Sequence, residues 1–352
     1  MNMSYEIGKK IINLEPTPRV GRTEYAYTYP SLVKEMTGFD PSDPTQADDA
    51  WRKFYEIIPF DFVWYVNDGP PDAWNGRITN MGHAEYAEGG TDLDRGVNCP
   101  FTDPEEVLAF DASREYGLPD IKERAAYYQA TMDKLWKTFP DVLYPGGYYK
   151  TIVSGAIQSF GWDMFLMAQG TDPKRFGEQV FEGFFKLTQA NINAWAQTSI
   201  ECFVSHDDMV WTEGAIFNPK FYREYIFPRY KELWKPLKEK GIKVIFCSDA
   251  NFTEFVDDIA EAGADGFIFE PMTSLEYVAE KYGKTHVIVG NADCRPMTWG
   301  TKEDIRREVE RCMNAAKHCP GFVMAVGNHI PANVPKENAY YYFDLVRELG
   351  QR

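Results

Sequence analysis

Three absences narrow the class of protein before any motif is considered. The six cysteines are scattered through 352 residues without a CxxC pair, which favours a reduced intracellular protein over a disulfide framework. A net charge of −16 argues against nucleic-acid binding, because phosphate backbones require a basic surface. No apolar run approaches the length of about 20 residues that a membrane-spanning helix needs. Residues 1–10 also lack the apolar stretch of a signal peptide, so the expected compartment is the cytoplasm.

The composition is otherwise that of a globular protein with a high share of aromatic residues. Hydrophobic residues make up 44% of the chain and the mean hydropathy is −0.43, so the chain can bury a substantial core. Nine Trp and 21 Tyr contribute to an aromatic content of 15%, most visibly in the first half. No repeat or linker-like segment interrupts the sequence, and we therefore expect one domain over residues 1–352.

Strand and helix signals alternate through the C-terminal third of the chain. Short apolar runs occupy residues 244–246, 266–269, 287–289 and 322–326. Segments with a helical spacing of apolar residues separate these runs, and Thr301 with Asp304 can form a capping box at the start of one of them. This alternation is typical of βα units that build a parallel sheet.

Each of these apolar runs is followed by residues able to bind a metal or carry a proton. They are Cys247, Asp249, Glu270, Cys294 and His329. A (β/α)8 barrel places its chemistry at the C-terminal ends of consecutive parallel strands, so we expect these five side chains at one barrel mouth as metal ligands, with Glu270 also a catalytic candidate. The structural alternative for each is a packed thiol, a helix cap or a buried hydrogen bond.

The N-terminal half predicts the rest of the barrel less clearly. Residues 1–55 resemble an N-terminal extension, and the barrel proper would occupy residues 56–352, with 60–66 as its first strand. Residues 72–100, which are rich in Gly, Asn and Asp, suggest a hairpin inserted in the following loop. A short strand is expected at 142–144.

A polar triplet follows another expected strand at residues 202–204. His206, Asp207 and Asp208 lie at its C-terminal end and are therefore candidate catalytic residues on the same face of the barrel.

Several motifs in the C-terminal half resemble the uroporphyrinogen decarboxylase-like superfamily. They are Asp207-Asp208 followed by Phe217-Asn218-Pro219-Lys220-Phe221-Tyr222-Arg223, the turn Ala262-Gly263-Ala264-Asp265-Gly266, the segment Gly290-Asn291-Ala292-Asp293, and Gly327-Asn328-His329 before Pro335-Lys336-Glu337-Asn338. Each motif is weak alone, but four in the same order are fairly specific. The resemblance covers roughly residues 140–350 and implies a (β/α)8 TIM barrel.

The resemblance also implies two chemistries: cofactor-free decarboxylation of uroporphyrinogen, and zinc-dependent methyl transfer to or from cobalamin. The decarboxylases carry an arginine-rich N-terminal signature that this acidic chain lacks, and a substrate with eight carboxylates would be repelled by it. The methyltransferases typically show His-x-Cys where this chain has Cys247-Ser248-Asp249. His329 stands where the family has a further cysteine, so the ligand types are kept but their order differs. Zinc accepts thiolate, imidazole and carboxylate ligands.

From this resemblance we expect the first methyltransferase of an O-demethylase. A carboxylate-containing zinc site suits an ether oxygen, and aromatic side chains suit the ring of a phenyl methyl ether. Trp64, Tyr65, Tyr148 and Trp211 are the expected substrate-binding residues. The methyl acceptor would be cob(I)alamin on a partner corrinoid protein, because the chain has no Asp-x-His-x-x-Gly signature of its own.

The alternatives are transfer of a methyl group from methylcobalamin to a thiol, a decarboxylase-type lyase, and a corrinoid- or metal-binding module without turnover.

Overall fold

The centre of the molecule is a parallel β-sheet. The computed structural model describes residues 3–25, 28–81 and 96–352. Within these ranges the sheet consists of β1 (Gly21–Arg22), β2 (Gly146–Tyr148), β3 (Cys202–His206), β4 (Lys243–Ser248), β5 (Gly266–Phe269), β6 (Val287–Val289) and β7 (Phe322–Met324). The strand order is β1-β7-β6-β5-β4-β3-β2 and every pairing is parallel.

Residues 60–67 close this sheet into a barrel. The Asp61 amide donates to the Arg22 carbonyl (2.9 Å) on one edge, and the Asn67 amide donates to the Gly147 carbonyl (2.9 Å) on the other. Phe62 pairs with Leu143 in a parallel bridge. Because this segment bonds to both edge strands, it is the eighth parallel segment, and the expected (β/α)8 barrel is confirmed.

Helices surround the barrel in chain order. They are α1 (Met3–Ile12), α2 (Pro30–Thr37), α3 (Ala47–Ile57), α4 (Pro104–Leu108), α5 (Ala112–Glu115), α6 (Ile121–Thr138), α7 (Ile152–Thr171), α8 (Pro173–Arg175), α9 (Phe181–Trp195), α10 (Pro219–Tyr225), α11 (Phe227–Glu239), α12 (Val256–Ala262), α13 (Leu275–Tyr282), α14 (Arg295–Trp299), α15 (Lys302–Ala316) and α16 (Lys336–Leu349). A π-helical turn (Phe176–Val180) joins α8 to α9, and a 3₁₀ turn (Thr253–Phe255) precedes α12. The predicted capping box of Thr301 and Asp304 starts α15. No helix within the described ranges has the length and apolar character needed to cross a bilayer.

Side-chain alternation along the strands divides the core into an inner and an outer part. The inner part fills the barrel and consists of Ile7, Ile11, Ile12, Phe62, Leu143, Cys202, Val204, Ile245, Cys247, Ile268, Val287, Val289 and Val323. Three of these come from α1, which therefore covers the end of the barrel opposite the strand C-termini. The larger outer part packs the strands against the helices. The open mouth thus lies at the C-terminal ends of the strands.

The predicted N-terminal extension is wrong as a description of residues 1–55. This segment supplies α1, which closes the barrel, and β1, its first strand. Residues 60–66 consequently hold the second strand position, not the first. A strand of two residues shows no alternation of apolar and polar side chains, so the sequence carried no signal for β1.

Two other loop predictions need correction. Most of the hairpin expected at 72–100 falls on residues 82–95, which lie outside the described residues, and the described parts, 72–81 and 96–100, contain no strand. The strand expected at 142–144 contributes only the Leu143 bridge, and the ladder forms four residues later, at β2. The two glycines of β2 serve packing, since a Cβ on Gly147 would lie 2.1 Å from the Tyr65 carbonyl oxygen.

Candidate functional site

Three side chains with metal-binding atoms converge at the barrel mouth. His206 ends β3, Asp208 follows it by two residues, and Asp249 follows β4. One ligand atom from each lies within 4.8 Å of the others. Among the described residues this is the one group of three His, Cys, Asp or Glu side chains that meets this criterion. The parallel pairing of β3 with β4 places the two strand ends side by side, which explains the convergence.

Asp208 makes the most hydrogen bonds of the three members of this metal-ligand group. Its Oδ1 lies 2.8 Å from His206 Nε2 and accepts a hydrogen bond from the Asp249 amide (3.0 Å). Its Oδ2 accepts a hydrogen bond from the Tyr149 hydroxyl (2.9 Å), and its own amide donates to Ser154 Oγ (2.7 Å). The carboxylate is therefore held in one orientation by three elements of the barrel.

The charges within the group are strongly coupled. Burial alone would raise the pKa of Asp208, but the charge and hydrogen bond of His206 outweigh it and lower that pKa to about 2. Burial would likewise lower the pKa of His206, yet the Asp208 carboxylate holds it well above its ordinary value. Burial, together with the carboxylates of Asp208 and Glu270, raises the pKa of Asp249 well above its usual range. Such a concentration of perturbed groups at a barrel mouth marks a functional site.

Glu270 and His329 form a second polar wall of the mouth through Asn328. The Asn328 side-chain amide donates from Nδ2 to Glu270 Oε1 (2.7 Å), while its Oδ1 lies 2.8 Å from His329 Nδ1. Since Oδ1 can only accept, His329 Nδ1 must carry the proton. Burial lowers the pKa of His329 to about 4, so this imidazole is neutral at pH 7. The other Glu270 oxygen accepts from the Ala250 amide (2.7 Å).

Aromatic rings line the space beside the metal-ligand group. The Tyr149 and Trp64 rings meet the His206 ring edge-on, with centroids 4.4 Å and 5.6 Å away. Tyr25 lies 6.0 Å from Trp64 and 6.1 Å from His329. The mouth thus combines a polar cluster with neighbouring aromatic rings.

Asp207 is not part of this site. Its buried carboxylate accepts hydrogen bonds from the Val153 and Ser154 amides (3.0 and 2.6 Å) at the first turn of α7, and from the Tyr230 hydroxyl (2.7 Å). This is a structural cap, and the geometry does not support the predicted catalytic role. Neighbouring residues at the end of a strand point in opposite directions, which separates Asp207 from Asp208.

The same alternation corrects two of the four predicted substrate-binding aromatics. Tyr148 points away from the mouth into the outer core, where its hydroxyl accepts from Asn191 Nδ2 (3.2 Å). Tyr65 also faces outward and packs edge-on against Tyr144. Trp64 faces the mouth as expected. Trp211 lies on a short hairpin after β3 and is 51% exposed. Its carbonyl accepts a hydrogen bond from the Asn251 amide (3.2 Å) in the loop after β4, so its role in substrate binding stays a prediction.

Neither of the two cysteines predicted as ligands belongs to the metal-ligand group, although Cys247 lies beside His206 on the neighbouring strand. Cys247 is buried in the barrel interior, and burial raises the pKa of its thiol although the nearby His206 lowers it. Cys294 precedes α14 and packs, partly buried, against the outer core. Of the five predicted ligands, only Asp249 is in the group; Glu270, which follows the adjacent strand β5, and His329 belong to the second polar wall.

Sequence reasoning missed three residues of the mouth: Tyr25, Tyr149 and Asn328. Tyr149 could have been found by alternation, because an outward Tyr148 implies an inward Tyr149. Asn328 was noted only as part of a motif, and its bridging role between a strand end and a later loop carries no local signal.

The donor set fits a divalent metal. One imidazole nitrogen and two carboxylate oxygens are ligands that zinc accepts, and three protein ligands are typical of a catalytic zinc site with an open position. His206 Nδ1 is buried and has no hydrogen-bond partner among the described residues, and the Cys247 side chain lies beside the ring on the neighbouring strand.

Comparison with known proteins finds a matching family model and relatives for the C-terminal half of the chain. Residues 176–349 match the family model "Uroporphyrinogen decarboxylase (URO-D)". A uroporphyrinogen decarboxylase from Carboxydothermus hydrogenoformans is 29% identical over 172 residues, which is 49% of this chain and 46% of that protein. One from Syntrophotalea carbinolica is 31% identical over 139 residues, or 39% and 40% of the two chains. The match thus spans less than half the length of each of these relatives.

The overall architecture is shared with a solved structure described as a methyltransferase from Methanosarcina mazei. The two agree over 99% of both chains with a TM-score of 0.68, at 16% sequence identity. This agreement concerns the fold, including the N-terminal half that the family model does not cover. Together these findings confirm the resemblance to the uroporphyrinogen decarboxylase-like superfamily that the motifs indicate.

Proposed function

We propose that this protein is a methyltransferase that moves a methyl group from a methoxylated aromatic compound to cob(I)alamin. The observation that carries the proposal is the convergence of His206, Asp208 and Asp249 within 4.8 Å inside a mouth walled by aromatic rings. Metal ligands next to aromatic rings suit a substrate that has an ether oxygen and a flat ring.

His206, Asp208 and Asp249 would hold the metal, which we propose to be zinc. When bound, zinc supplies Lewis acidity that assists the departure of a phenolate. In the overall reaction the O–CH3 bond breaks, the oxygen keeps the bonding electron pair, and the methyl group passes to cobalt. Imidazole and carboxylate are harder ligands than thiolate, and they suit activation of an oxygen better than activation of a thiol. This donor set therefore favours demethylation of an ether over methylation of a thiol.

The aromatic wall of Tyr25, Trp64 and Tyr149 would orient the substrate ring. Stacking and edge contacts hold a ring without fixing its substituents, so several methoxylated benzenes would be accepted. Glu270 and His329, in the second polar wall of the mouth, would offer hydrogen-bond acceptors to a hydroxyl group on the substrate ring. Burial of these walls excludes water from the reacting bond.

The cobalamin would come from a separate corrinoid protein. The chain lacks the Asp-x-His-x-x-Gly signature for lower-ligand binding, and the mouth opens at the surface where the strands end. Gel filtration of the chain with hydroxocobalamin is expected to separate the two. Co-elution of stoichiometric corrinoid with this chain would contradict the proposal of a separate carrier.

The test is a methyl-transfer assay with the purified full-length chain. Cob(I)alamin is generated under reducing, anaerobic conditions and mixed with anisole, guaiacol or a methoxybenzoate. We expect methylcobalamin to form, together with the demethylated phenol, and the Asp208→Ala protein to be inactive.

Two other activities of the purified chain, if observed, would identify a different function. Release of carbon dioxide from uroporphyrinogen would identify a decarboxylase, which the named relatives favour. Consumption of methylcobalamin in the presence of a thiol, but not of a phenol, would identify a thiol methyltransferase.

A further inference from the structure

Tyr149 connects the metal-ligand group to the loop that follows residues 60–67. Its hydroxyl donates to Asp208 Oδ2 (2.9 Å), and its ring packs edge-on against His206 at 4.4 Å. The side chain is only 8% exposed. One residue thus contacts two of the three proposed ligands, one by a hydrogen bond and the other by its ring.

The backbone of Tyr149 is also held in place by hydrogen bonds. Asp68 Oδ1 accepts hydrogen bonds from the Tyr149 amide (2.7 Å) and the Lys150 amide (3.0 Å). Asp68 belongs to the loop after the segment that closes the barrel, so closure of the barrel and orientation of Tyr149 are coupled. A carboxylate that accepts two backbone amides fixes the peptide plane as well as its position.

We infer that Tyr149 is a positioning residue that orients Asp208 for metal binding, an inference that rests on the proposed zinc centre. The Tyr149 hydroxyl donates a hydrogen bond to Asp208 Oδ2, and the backbone amide of Asp249 donates one to Asp208 Oδ1. Together these bonds prevent rotation of the carboxylate and direct Oδ1 toward His206 Nε2. Groups that hold a metal ligand in this way commonly contribute about 10- to 100-fold to metal affinity.

The chain offers a matched control in the preceding residue. Tyr148 is also buried and also hydrogen-bonded through its hydroxyl, but it points into the outer core and contacts Asn191 instead of the site. Removing either hydroxyl leaves the ring in place. The two changes therefore differ in the direction of the side chain and not in the kind of atom lost.

The experiment compares zinc affinity in the wild-type chain, Tyr149→Phe and Tyr148→Phe by competition with a chromophoric chelator. We expect Tyr149→Phe to bind zinc about 10- to 100-fold more weakly and Tyr148→Phe to bind as the wild type does. In the methyl-transfer assay, Tyr149→Phe should lose kcat while the KM for the aromatic substrate is nearly unchanged, and excess zinc should restore activity. Urea denaturation of the metal-free proteins checks that both variants are folded.

Three results would overturn the inference in different ways. If the wild type binds zinc and Tyr149→Phe binds it equally well, Tyr149 does not position Asp208, and the proposed function stands. If the wild type itself binds no zinc, the metal centre and the inference fail together. A loss of zinc affinity in Tyr148→Phe as large as in Tyr149→Phe would show a general packing effect and would also overturn it.

Discussion

Replacement of Asp207 by alanine should destabilise the fold, although its neighbour Asp208 belongs to the site. Three buried donors, the Val153 and Ser154 amides and the Tyr230 hydroxyl, lose their acceptor. An unsatisfied buried donor costs about 1–3 kcal/mol, and loss of a helix cap about 1 kcal/mol. Because these terms overlap, we expect Asp207→Ala to lower the free energy of unfolding by about 3–5 kcal/mol.

The conservative variant sharpens this prediction. In Asp207→Asn the side-chain oxygen can still accept from the α7 amides, while its NH2 group can donate to the Tyr230 oxygen, so the loss should be only about 1 kcal/mol. Asp208→Ala should also lower stability, because the Tyr149 hydroxyl and the Asp249 amide lose their acceptor, but unlike Asp207→Ala it should remove zinc binding. Urea denaturation of the metal-free proteins, followed by tryptophan fluorescence, measures all three variants. If Asp207→Ala is as stable as the wild type but binds no zinc, the roles assigned to these two residues are reversed.

Three further predictions concern other parts of the barrel. Burial raises the pKa of Glu24 to about 7 from its ordinary 4.5, despite the nearby Arg22. The folded state therefore holds a proton that the unfolded state releases between these two values, and stability should fall by up to about 3 kcal/mol as the pH rises through this window. Glu24→Gln should reduce that dependence in denaturation at about pH 5 and about pH 7.5, leaving the part that comes from other buried carboxyl groups such as Asp61, whose pKa burial raises to about 6. A slope equal to that of the wild type would exclude Glu24 as a contributor. Gly147→Ala should cost about 1–3 kcal/mol, since its Cβ would meet the Tyr65 carbonyl, and an unchanged urea midpoint would show that β2 can shift. His329→Ala should retain zinc, because its imidazole lies outside the metal-ligand group, and metal analysis showing depletion would make His329 a ligand.

The elements with regular periodicity were predictable from the sequence. The strands at 266–269 and 287–289 were predicted with the bounds observed. The Thr301–Asp304 box lies at the start of α15 because capping chemistry is local. In contrast, β1 has two residues and the closing segment pairs through isolated bonds, so both depend on tertiary contacts that no local pattern contains.

The candidate site was predictable in its location but only partly in its membership. Polar residues after consecutive strands indicated the mouth correctly, and Asp249 was among the predicted ligands. Which strands contribute side chains to the metal-ligand group depends on which strands are neighbours in the sheet. His206 and Asp208 reach Asp249 because β3 pairs with β4. Cys294 follows β6, which is separated from β4 by the intervening β5 in the sheet order. The sequence also cannot decide between Asp207 and Asp208, since their roles differ only in the direction of the side chain.

Zinc analysis of purified protein tests the central claim most directly. The wild-type chain should carry about one zinc ion, removable by a chelator and restored by added zinc, and Asp249→Ala should carry none while remaining folded. Asp293→Ala is the matched control, because Asp293 also follows a strand of the barrel, β6, but pairs with Arg295, and it should retain the metal. Zinc that remains bound in Asp249→Ala, or a wild-type chain that takes up no zinc, would contradict the account.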